Sequence, residues 1–155
     1  MLANSLYGHV MGLGTDRFDK FLATWRAFRA DGIDHVMMTH HEDFFTDADV
    51  AAQGPQEFTM TLDASPEVGD EKVIEYCRGI RDLGWLAGPY TNYTDYSPLG
   101  KSWDERNVAK HPNGEWRRAW PPSFNIKPLK AVEMEAKFAP KIAAKFGVNN
   151  VYCDV

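Results

Sequence analysis

Three segments with the apolar spacing of a helix each end at a glycine and lead, within two further residues, into a short apolar run. The first carries Phe18, Phe21, Leu22, Trp25 and Phe28 on one face, with Thr15 placed to cap it and Gly32 to stop it. His35-Val36-Met37-Met38-Thr39-His40-His41 follows and is too short for a helix, so the spacing predicts a buried strand. The second helix presents Val73, Ile74, Cys77, Ile80 and Leu83, stops at Gly84, and runs into a strand over 85–93. Pro89 lacks a ladder donor, so that strand is expected to be shortened, bulged or irregular there. The third begins at Pro128, presents Leu129, Val132, Phe138, Ile142 and Phe146, and is expected to kink at Pro140. Gly147 ends it, and 148–154 is the last strand.

The links in the other direction are long, spanning 42–69 and 94–126. In a (β/α)8 barrel the helix-to-strand turns lie on the stability face, whereas the strand-to-helix loops build the active site and absorb insertions. This asymmetry predicts such a barrel. Glu57–Leu62 reads as a minor strand inside the first long loop, and Asn113-Gly114 as a hairpin turn inside the second. A complete barrel needs about 250 residues, and this chain has 155. The expectation is therefore an α/β fold that is a partial (β/α)8 barrel, roughly its N-terminal half, formed by residues 1–155 as one truncated domain. The competing architecture is a small open doubly wound sheet, complete in itself.

Charge narrows the partners. Seventeen Lys and Arg stand against 22 Asp and Glu, for a net charge of -5, and no basic run exceeds Arg117-Arg118. Binding a phosphate backbone needs clustered cations, so nucleic acid is not an expected partner. No apolar stretch approaches the roughly 20 residues that span a bilayer, and no membrane partner or targeting segment is read from the sequence. Cys77 and Cys153 form no CxxC pair and read as two buried thiols.

Candidate chemistry gathers at the predicted strand ends. Asp154 follows Val151-Tyr152-Cys153 at the C-terminal end of a strand, where α/β proteins place reacting groups. It reads equally as a cap for a following helix or a solvated strand end. Tyr90, Asn92, Tyr93 and Asp95 run off the middle strand, a mixture that suits sugars: aromatic faces pack on the C–H face of a pyranose while amide and carboxylate take its hydroxyls. Packing in the core is the alternative for Tyr90 and Tyr93. Asn92-Tyr93-Thr94 also fits the N-glycosylation pattern, a match short enough to be discounted.

His40, His41, Glu42 and Asp43 end the first apolar run, with Asp47 and Asp49 beyond. Imidazoles beside carboxylates suit a metal. Neighbouring strand residues point to opposite faces, however, so one histidine at the mouth and one packed outward is the simpler reading. Gly12-Leu13-Gly14 is no dinucleotide fingerprint, since Arg17 occupies the third glycine's place. Neither a Walker loop nor a Gly-x-Ser-x-Gly elbow is present, and no cofactor is expected. Carboxylate chemistry remains, as used by glycosidases with one carboxyl to attack or activate water and another to protonate the leaving oxygen.

Together, His40-His41-Glu42-Asp43, Gly84-Trp85 leading into Gly88–Asp95, Asn113-Gly114-Glu115-Trp116, and Val151–Asp154 after a Lys-Phe-Gly helix end resemble barrel glycoside hydrolases of the α-galactosidase and endo-α-N-acetylgalactosaminidase type. The resemblance spans roughly residues 32–155. It implies that Asp154 ends the fourth strand as the nucleophile of a retaining mechanism, with 35–41 and 85–92 as the second and third strands and a first strand that is either Leu6–Met11 or precedes Met1. It also implies substrate contacts from His40, His41, Asp43, Tyr90, Asn92, Tyr93, Asp95 and Trp116. The general acid would come from a later strand, in the remainder of the barrel C-terminal to Val155. Two other functions stay open: a non-catalytic carbohydrate-binding or scaffold protein, and a metal-dependent hydrolase using His40 or His41.

Overall fold

The computed structural model describes residues 5–10, 18–40, 62–64, 68–92 and 94–154. Four strands form one sheet: β1 (Leu6–Val10), β2 (Val36–His40), β3 (Leu86–Asn92) and β4 (Tyr152–Asp154). Among the described residues, three α-helices alternate with them: α1 (Phe18–Ala30), α2 (Asp70–Asp82) and α3 (Pro128–Phe146). Every pairing is parallel and the spatial order is β1-β2-β3-β4, the order along the chain. An open doubly wound sheet reverses its strand order at a switch point. This sheet does not reverse. Its helices pack side by side, α1 on α2 and α2 on α3. The architecture is a partial (β/α)8 barrel.

The apolar core lies between the sheet and these helices. Val10, Val36, Met38 and Ala87 meet Phe18, Leu22, Val73, Tyr76, Cys77 and Ile80, all buried. Backbone bonds from Gly32 to Arg29 and from Ile33 to Phe28 close α1 as a Schellman motif, with Gly32 at a φ of 91°. The chain then enters β2 without a loop. Gly79 permits close packing of α1 and α2, because a Cβ there would stand 2.7 Å from Leu22 Cδ2.

Three expectations about the elements change. Strand β3 runs through Pro89 without interruption, since it pairs with β2 up to His40↔Pro89 and with β4 from Tyr90↔Tyr152 onward. The missing donor falls at the change of partner. The last strand is shorter than 148–154: Asn149 instead bonds Ala87 through both its backbone N–H and its side-chain Oδ1. Helix α3 continues through Pro140, but only Ile142 and Phe146 of its expected apolar face are buried. Leu129 and Val132 are exposed, and Val132 lines a groove of about 720 Å³ that also reaches Cys153, which is exposed rather than buried. The minor strand at 57–62 falls, apart from Leu62, outside the described residues.

Close approach fixes one position. A Cβ on Gly88 would lie 2.0 Å from the backbone oxygen of Asn150, so no side chain fits unless the link before β4 moves. Overpacking of this kind costs about 1–3 kcal/mol. Gly88→Ala is expected to lower stability by at least about 2 kcal/mol in denaturant titrations; an unchanged midpoint would show that the 147–151 link yields freely.

Both outer strands are edges, and they leave Leu6, Tyr7, Val151 and Tyr152 exposed. Unpaired parallel edges and wet apolar side chains favour association. The 155-residue chain by itself is expected to elute as oligomer or aggregate in size-exclusion chromatography. A monodisperse monomer with one cooperative thermal transition would contradict this.

Candidate active site

Parallel register gives the sheet two chemically different faces, because residues paired in register share a side. Val36, Met38 and His40 face the helices. Tyr7 and His9 of β1, Thr39 of β2, Tyr90 of β3 and Tyr152 of β4 meet on the other face. Thr39 Oγ1 lies 2.9 Å from both the Tyr7 hydroxyl and His9 Nδ1, and the Tyr7 hydroxyl lies 3.0 Å from the same nitrogen. Tyr90 stacks on Tyr152 with ring centroids 5.6 Å apart, and His9 sets its ring edge-on to Tyr90 at the same separation. The barrel-lumen face is thus lined by aromatic rings and hydroxyls.

At the C-terminal end of β3, Asn92 organises the start of the long loop. Its Oδ1 accepts from the backbone N–H and hydroxyl of Thr94 at 2.8 Å and from the N–H of Asp95 at 3.2 Å. Its Nδ2 donates to Asp95 Oδ2 at 2.6 Å and to the Tyr90 hydroxyl at 3.3 Å. Asn92 is buried. Asp95 carries the chain of bonds onward, its Oδ1 accepting from the backbone N–H of Trp120 at 3.1 Å. Asn92 pairs in register with Asp154, so the ends of β3 and β4 lie side by side.

The loop over 94–127 has its own small core of Tyr96, Val108 and Ile126, packed by Trp103, Trp116 and Phe124. The expected hairpin turn is present: Gly114 donates to His111, His111 to Glu115, and Gly114 takes a φ of 88°. Trp116 sits within this subdomain, edge-on to Trp103 and Phe124, and not among the strand-end side chains.

His40 is also apart from the tyrosine face. It is buried on the helix side of the sheet, its ring edge-on to Tyr76 at 4.7 Å. His41, Asp43 and Tyr93 lie outside the described residues. Among the described residues, no three His, Cys, Asp or Glu side chains gather as a metal group, and no helix is long and apolar enough to cross a membrane. Glu135, a carboxyl group whose pKa is raised by burial, stands on α3 on the helix side, beside Cys153 and Thr91. It does not join the tyrosine face. The sequence reading passed over Tyr7, His9 and Tyr152. The alternation of Tyr7, His9 and Met11 in Leu6–Met11 was the available signal, though it needed the register with β2 to become a surface.

By fold the chain is similar to several solved glycoside hydrolases. The α-N-acetylgalactosaminidase of Bifidobacterium bifidum superposes with a TM-score of 0.71 at 16% identity, over 97% of this chain and 28% of that one. A noncanonic maltogenic α-amylase of Thermotoga neapolitana gives 0.71 at 12% identity, over 99% and 40%. The α-galactosidase of Thermus thermophilus gives 0.56 at 13% identity, over 90% and 29%. No protein-family model and no curated protein sequence matches the chain. The fold is that of (β/α)8 glycoside hydrolases, and the chain spans well under half the length of these three neighbours.

Burial gives His40 a pH signature. Desolvation, with His9 adding a smaller repulsion, lowers its pKa from the usual 6.5 to about 3. The unfolded chain takes up that proton near 6.5 while the folded chain does not, so His40's contribution is complete above 6.5 and is lost as pH falls toward 3. The slope in that window approaches about 1.4 kcal/mol per pH unit. His40→Phe is expected to flatten the acid limb of a stability-versus-pH curve; an unchanged limb would show that His40 is protonated in the folded protein.

Proposed function

We propose that this chain forms the first four strands of a retaining glycosidase barrel acting on α-linked sugars, with Asp154 as nucleophile. The observation that carries this reading is the register pair Asn92↔Asp154 at the C-terminal ends of β3 and β4, beside a lumen face of Tyr7, His9, Tyr90 and Tyr152. Catalytic groups of (β/α)8 enzymes sit at strand C-termini. The named activities of the structural neighbours, α-N-acetylgalactosaminidase, α-amylase and α-galactosidase, support an α-glycosidic substrate.

In this mechanism the Asp154 carboxylate attacks the anomeric carbon and displaces the leaving oxygen, and a carboxylic acid on a later strand protonates that oxygen. Water then attacks the glycosyl ester with the same acid acting as base, and Asp154 is released. Tyr90 and Tyr152 supply an aromatic wall for the pyranose. Asn92 and Asp95 are positioning residues for the loop, and His41, Asp43 and Tyr93 are proposed as further sugar contacts from the flanking loops.

In the complete polypeptide carrying these residues, Asp154→Asn is expected to reduce kcat on an α-glycoside by a factor of about 1,000 or more, because an amide cannot form the glycosyl ester. Sugar affinity by calorimetry should stay within about threefold, a difference well under 1 kcal/mol. Undiminished turnover would remove Asp154 from the mechanism, and sugar binding with no turnover by the unaltered protein would favour a carbohydrate-binding role.

A further inference from the structure

We propose that the groove along the outer flank of α3 seats the helix that follows β4 in the complete polypeptide, an amphipathic helix with a basic residue opposite Glu135, and that this helix braces the 94–127 subdomain against the barrel. This rests on the reading of the chain as the first four strands of a barrel, and not on its catalytic chemistry. The α3 side of the groove consists of Pro128, Ala131, Val132, Glu135 and Ala136. These positions repeat at three and four residues, the stripe by which one helix faces another. The rows 128-132-136 and 131-135 are i±4 ridges of the kind that interlock with a second helix, and the two alanines let its backbone come close. A different stripe of α3, with Ile142 and Phe146 buried, faces the core.

The occupant continues an interface already present. Helix α1 packs on α2 and α2 on α3, and the groove lies along the flank of α3 where a further helix would extend the layer. Val132 is 65% exposed there, and an apolar side chain of its size left in water forfeits about 1.5–3 kcal/mol. The α3 stripe holds one charge. Burial raises the pKa of the Glu135 carboxyl, and among the described residues no cation or hydrogen bond counters it. A Lys or Arg on the incoming helix supplies the missing counter-charge, and Arg117 on the other wall offers the same to an acidic residue. That other wall also holds Ala109 and Ile126 of the 94–127 subdomain, so one helix in the groove touches α3 and the subdomain together. The subdomain carries Asp95, and seating the helix fixes it relative to the strand ends. Cys153 alternates with Tyr152 and Asp154 along β4, which places its exposed thiol on the helix side, in the same groove.

That thiol reports whether the groove is filled, since labelling needs access to the sulfur. In the complete folded polypeptide, N-ethylmaleimide is expected to modify the Cys153 peptide, followed by mass spectrometry, at least about 100-fold more slowly than in denaturant. Val132→Glu should bring the rate to within about tenfold of the denatured one, and Glu135→Leu should raise it about tenfold, because the cation opposite then loses its partner. A benzophenone cross-linker at Leu129 should attach to the segment directly following Val155. Labelling of unaltered Cys153 at the denatured rate, protection that survives Val132→Glu, or a cross-link to a second copy or to another segment overturns the seat. A rate in Glu135→Leu no higher than in the unaltered protein overturns the ion pair. Protection of Cys153 without turnover of an α-glycoside overturns the glycosidase reading and leaves the seat standing.

Discussion

The in-register parallel pairing of the four strands is the constraint on which everything else depends. Because paired residues share a face, the register Tyr7↔Met37, His9↔Thr39, Thr39↔Gly88 and Tyr90↔Tyr152 sorts the side chains. Val36, Met38 and His40 go to the helices, and Tyr7, His9, Thr39, Tyr90 and Tyr152 go to the lumen, together with Met37 and Leu86. A slip of one residue in any pair would exchange these sets, sending Val36 and Met38 into the polar face and Thr39 into the helix core. The register of β3 with β4 is held below by Asn149 on Ala87 and by the bare backbone of Gly88 against Asn150. A glycine and an asparagine at the bottom of the sheet therefore decide which residues meet at the top.

Loops can then be elaborate without disturbing the frame. The 94–127 segment carries its own core and touches the strand ends through a few hydrogen bonds centred on Asn92 and Asp95. At the opposite end, Gly32 and Gly84 take positive φ and return the chain to the sheet at once. This division between a spare stability face and an extended functional face is the barrel's own.

Much of this was legible in the sequence, because helix faces and glycine stops are local signals. The face of α2, the runs that become β2 and β3 and the Asn113-Gly114 turn follow from spacing within a dozen residues, whereas Phe28 of the expected α1 face is exposed and the order of the four strands came from the barrel resemblance. What spacing could not reveal was non-local. Pro89 read as an obstacle because its two partner strands were unknown, and Leu129 and Val132 read as core because periodicity marks an apolar stripe without saying what covers it. The same limit applied at the site. His40 stood in a histidine-rich motif, but only the packing against Tyr76 turned it away from the tyrosine face. Asn92 read as a sugar contact from residue type alone, and its five hydrogen bonds at the start of the loop needed the folded chain to be seen.

The central claim is that Asp154, held beside Asn92 by the β3–β4 register, is the group that bonds to the sugar. Mechanism-based trapping addresses it directly. Incubating the complete polypeptide with a fluorinated α-galactosyl fluoride should leave a stable glycosyl ester, and peptide mass spectrometry should place it on Asp154. A label on a different carboxylate, or time-dependent inactivation with no covalent adduct, would contradict the account.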